Sequence, residues 1–124
     1  MTGDGISENN LRENPAGLPR INERNLSVES EYEYGSRVGF WRMFKLFNKY
    51  KMKFTLYAVG QALEANPEVA KRCVEEEHDV ASHAYRWIEY HDFSVEKEKE
   101  YIRKGINCLK ALTGYAPKGL VSFA

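Results

Sequence analysis

Hydrophobic positions along this chain change their period several times, and each change marks an element. From Ser36 to about Lys49, Phe40, Phe44 and Phe47 recur at helical spacing with Trp41 beside them. This pattern predicts an amphipathic helix capped by Ser36, with the aromatic stripe packed in a core. Lys53 to Val59 (KFTLYAV) is a short run rich in strand formers, suited to a parallel strand buried on both faces. Gly60 opens a short helix to about Glu64. Asn66-Pro67-Glu68 then starts another, with proline in the first turn and an acid at the positive end of the dipole. Asp79 to Ser82 reads as a second strand ending at His83. After a loop over 84–93, Ser94 caps a long helix to about Thr113, which Gly114 stops. Leu120 to Phe123 begins a third strand.

The order helix, strand, helix, strand, helix, strand predicts an α/β fold, a parallel βαβ arrangement with right-handed crossovers. Three parallel strands leave bare sheet edges, so the set reads as incomplete. Residues 1–35 are dense in Gly, Asn and Pro and are expected to form an irregular N-terminal loop region, with the α/β part over 36–124.

Composition narrows the function only by exclusion. The 124 residues are 43% hydrophobic and 29% charged, the formal net charge is zero and the pI is near 6.8. No global electrostatic case exists for nucleic acid or a membrane surface as partner. Charge is segregated locally: residues 1–35 hold seven acids and three bases, and residues 36–55 hold six bases and no acid. We read the basic stretch as a solvated helix face. Cys73 and Cys108 lie among apolar residues of helices and are expected to be free, buried thiols. No apolar run approaches the ~20 residues of a membrane span, and no signal peptide is visible, so a cytoplasmic location is expected.

Sites in parallel α/β folds lie beyond the carboxyl ends of the strands. His83 occupies such an end, and the loop after it carries Tyr85, Arg86, Trp87, Glu89, Tyr90, His91 and Asp92. His78, at the opposite end of the strand, reads as structural. A zinc site needs three or four ligands. Four residues after His83 stands Trp87, whose indole has no lone pair for a metal. Neither a phosphate-cradling glycine loop nor a serine elbow is present.

Two stretches together resemble the polysaccharide deacetylase superfamily. Lys51 to Trp87 (KMKFTLYAVGQALEANPEVAKRCVEEEHDVASHAYRW) follows its central block, and His83 matches its strand-end histidine. YEYGSRVGFWR (Tyr32–Arg42) and SHAYRWIEY (Ser82–Tyr90) look like the allantoinase-like branch, which also carries a turn like Gly3-Asp4-Gly5. The resemblance implies a distorted (β/α) barrel and a hydrolase of non-peptide carbon–nitrogen bonds. Its substrate would be a small ureide of purine catabolism or an N-acetyl sugar of carbohydrate metabolism. It implies His83 as the catalytic residue, and Arg86, Trp87, Tyr90, Glu33 and Arg37 as substrate-binding residues. Metal-dependent members use an aspartate plus an H-x-x-x-H pair. With Trp87 at the second histidine's place, no metal or other cofactor is expected here, and zinc is the weaker alternative.

The family places its acidic catalytic residues on the first barrel strand, and an arginine motif after a later one. Such barrels run to roughly 250 residues. This chain is therefore expected to be an internal piece of the domain. Two other readings compete: a truncated, non-catalytic product prone to self-association or homo-oligomers, and an unrelated small α/β binding module.

Overall fold

A computed structural model describes residues 26–88 and 90–121. By its internal contacts the chain divides into two compact units, Met1–Leu46 and Phe47–Ala124.

In the first unit a helical run begins at Leu26. Helix α1 (Leu26–Tyr34) passes into a π-helical turn, Gly35–Gly39, and on into helix α2 (Phe40–Lys49), whose last residues belong to the second unit. The Phe40 N–H donates to Gly35 O, five residues back. The turn falls between two glycines, where regular α-helix is least favoured. This corrects the expected boundary. Residues 26–34 are helical rather than irregular, and Ser36 caps nothing. Its hydroxyl instead donates to Glu33 O inside the continuous run, 3.1 Å away. Glu33 and Arg37 pair across one turn at 3.1 Å, and Arg42 donates to the Tyr34 hydroxyl at 3.1 Å. The aromatic stripe packs as expected: Phe40, Trp41 and Phe44 have ring centroids 5.0–5.9 Å apart, and Phe44 is buried.

The second unit is the α/β part. Strand β1 (Thr55–Ala58) and strand β2 (Asp79–Ser82) pair in parallel, with Thr55 opposite Asp79 and Ala58 opposite Ser82. Helices α3 (Gly60–Ala65) and α4 (Pro67–Glu75) make the crossover between them, and helix α5 (Val95–Thr113) follows β2. Leu120 bridges Ser82 in parallel, with Ser82 N–H donating to Gly119 O and Val121 N–H to Ser82 O. This isolated bridge falls where the third strand was expected, and residues 122 and 123 of that run lie outside the described residues.

Side chains explain these elements. Ser94 Oγ accepts from the Lys97 N–H at the start of α5, and Gly114 at its end takes φ 85°, a left-handed conformation that glycine adopts without strain. Ala58, Leu63, Val69, Ala70, Cys73, Val80, Cys108 and Leu109 form the core, with both thiols free and buried. His78 is buried as well. It stacks on Phe54 at 3.9 Å, with Nε2 2.9 Å from Asn48 Oδ1, which bears out its structural reading.

One expectation is corrected. β1 is not buried on both faces: Thr55 and Tyr57 are exposed while Ala58 is buried. Among the described residues no strand pairs with the outer edge of β1. No described helix is long and apolar enough to cross a membrane.

Candidate functional site

β2 delivers His83 to the carboxyl end of the sheet. The His83 N–H donates to Ala58 O at 2.8 Å, carrying the ladder one step past the strands. Strand alternation and the register put Tyr57, Ala81 and His83 on one face. Tyr57, 55% exposed, is a site candidate that the sequence reading missed. The alternation within KFTLYAV held the signal, but the run looked uniformly apolar.

Immediately after His83 the chain turns sharply. Ala84 takes φ 60°, which costs a residue with a Cβ roughly 1–2 kcal/mol. Contacts from α3 and α5 hold that turn. The first two N–H groups of α3, on Gly60 and Gln61, donate to the carbonyls of Ala84 and Tyr85 at 3.0 and 2.9 Å. Helix-end donors that lack partners of their own are thereby satisfied by the loop. The Tyr85 hydroxyl donates to Glu64 Oε2 at 2.7 Å, and this bond with burial pushes the phenol up to about 12. Gly105 of α5 lies against the Ala84–Tyr85 peptide, where a Cβ would come within 3.0 Å of the Ala84 carbonyl carbon.

Trp87 comes back to His83, with ring centroids 4.7 Å apart and both residues half-buried. The turn reaching Trp87 closes through Tyr90. Its hydroxyl accepts from the Arg86 N–H at 3.2 Å and donates to Arg86 O at 2.8 Å. The Tyr90 ring joins an aromatic cluster with Phe93 and Tyr101 of α5, at 5.3 and 5.8 Å. Arg86 is only 2% exposed. Its side chain is therefore buried in this loop. His91 and Asp92 pair with each other on the exposed turn beyond, Nε2 to Oδ2 3.1 Å.

The structure thus brings His83 and Trp87 together and ties Tyr90 and Arg86 into the loop behind them. Glu33 and Arg37 are exposed and belong to the other unit. The described ring neighbour of His83 is an indole, which offers a metal no lone pair, and among the described residues no three His, Cys, Asp or Glu side chains are gathered to hold an ion. An imidazole beside an indole, at the open end of a parallel sheet, can move a proton or donate to an oxyanion while the indole stacks on a flat group.

Comparison with known proteins bears on what such a pair does. The family described as polysaccharide deacetylase matches residues 12–122. A putative polysaccharide deacetylase of Schizosaccharomyces pombe is 46% identical over 77% of this chain and 31% of its own length. The crystal structure of Puue allantoinase superposes with a TM-score of 0.82 at 41% identity, covering 85% of this chain and 35% of that one. A probable polysaccharide deacetylase from Pseudomonas aeruginosa gives 0.82 at 42% identity, with the same coverage. The chain spans about a third of the length of these relatives.

Proposed function

This chain belongs to the polysaccharide deacetylase family, and from that premise we propose that it carries the His83 segment of an allantoinase-like hydrolase of non-peptide carbon–nitrogen bonds. The observation that supports this reading is the His83–Trp87 pair, 4.7 Å between ring centroids at the carboxyl end of β2. An indole stands where metal-dependent relatives place their second histidine. That position favours stacking on a flat ureide over coordination of an ion.

In this reading water gives one proton to a base as its oxygen bonds to the carbonyl carbon of the ureide, and the carbonyl oxygen becomes an oxyanion. The carbonyl re-forms as the carbon–nitrogen bond breaks, and the leaving nitrogen takes up a proton. His83 acts at one of two points, as the donor that stabilises the oxyanion or as the acid that protonates the nitrogen. Trp87 supplies a wall for the ring. Tyr57, on the same sheet face, extends that wall toward β1.

The test is allantoin turnover by the complete natural protein and by its His83→Ala variant, with folding checked by circular dichroism. A loss of roughly a hundredfold or more is expected, the contribution of a positioned acid or base. Full activity in the variant would remove His83 from the mechanism.

A further inference from the structure

Tyr90 is held by directional contacts to its own loop and to α5. Its hydroxyl meets both backbone groups of Arg86, one as acceptor and one as donor. Its carbonyl accepts from the Phe93 N–H at 2.9 Å. Its ring lies edge-on to Phe93 and Tyr101, and Phe93 in turn carries Lys97 Nζ 4.1 Å over its face. Tyr101 also touches Tyr85 edge-on at 6.4 Å. Tyr90 therefore joins the middle of the loop to α5, while its hydroxyl fixes the turn that runs from Arg86 through Trp87.

We propose that Tyr90 is a positioning residue, which holds Trp87 against His83 by locking the Arg86 peptide, and is not a contact for the substrate. The proposal rests on the hydrolase reading above for its catalytic consequence, but not for its structural content. Trp87 follows directly on the residue whose N–H and C=O the phenol holds. Without the hydroxyl both groups must find water, and the indole is freed to swing from the imidazole. Misplacing an aligned group by a fraction of an ångström slows the chemical step more than it weakens binding. The hydroxyl thus serves to keep the indole in contact with the imidazole.

The experiment is Tyr90→Phe in the complete natural protein. It keeps the ring in its cluster and removes only the hydroxyl. Two readouts are taken: backbone hydrogen exchange at Arg86, and kcat and KM on allantoin. Exchange at Arg86 is expected to quicken roughly tenfold, the loss of about one hydrogen bond. The value of kcat is expected to fall by about tenfold, with KM held within about twofold. Unchanged exchange at Arg86 would overturn the proposal. So would a raised KM at unchanged kcat, the mark of a lost substrate contact. A protein inactive on allantoin before mutation would count against the hydrolase reading alone, because hydrogen exchange still decides whether Tyr90 locks the loop.

Discussion

Gly105 of α5 and Ala84 of the loop after β2 are in backbone contact, so close that a Cβ on Gly105 would lie 3.0 Å from the Ala84 carbonyl carbon and 3.1 Å from the Tyr85 nitrogen. The obstacle is backbone, which cannot rotate away as a long side chain could. Gly105→Ala must therefore push the loop off α5 and lengthen the bonds that Ala84 and Tyr85 accept from α3. We expect a loss of about 1–3 kcal/mol in stability, the usual result of overpacking, with reduced activity. Ala84→Gly should behave differently. It relieves the left-handed strain but adds chain entropy and loses a buried methyl, so the net change should stay within about 1 kcal/mol of zero. Urea unfolding of both variants checks the contrast.

The thiols give a second prediction. Burial pushes both Cys73 and Cys108 up to about 11, and Cys108 Sγ also lies 3.3 Å from Gly60 O as a donor. The thiolate is the reactive species. An aromatic disulfide reagent at pH 8 should label neither cysteine rapidly in the native protein, and both after denaturation. Rapid native labelling of either would contradict the packing described.

His78 should make stability depend on pH. Burial, and then the nearby Lys53, hold its pKa below the ordinary 6.5, so the unfolded chain binds the proton more readily. The stability from neutral His78 is complete above about pH 6.5. It is lost as pH falls through the lower folded value. Thermal midpoints measured from pH 8 down to pH 5 should fall more steeply for the wild type than for His78→Phe, which cannot take up the proton. Equal slopes would mean His78 does not titrate in this range.

The elements that were legible in the sequence are those whose ends carry local chemistry. Pro67 at the start of α4, Ser94 before α5 and Gly114 after it all act within a few residues of themselves. The start of the first helical run was not legible, because LSVESEYEY has no apolar stripe and Ser36 looked like the cap of a helix beginning there. The chain passes Gly35 through a π turn instead. At the site, residue types correctly drew attention to the loop after His83 but did not reveal side-chain direction. Residue type did not reveal that Arg86 is buried or that the Tyr90 hydroxyl meets the Arg86 backbone. Tyr57 was passed over because its place on the His83 face follows from the register of β1 with β2, a relation between distant segments.

The central claim concerns the chemistry that the His83–Trp87 pair serves. It is tested most directly by offering the complete natural protein allantoin and a short N-acetylglucosamine oligomer in parallel, and measuring release of allantoate and of acetate. The account predicts turnover of allantoin, loss of that turnover in His83→Ala, and no deacetylation of the sugar. Acetate release without allantoin hydrolysis would contradict it, and would assign the pair to an N-acetyl substrate instead.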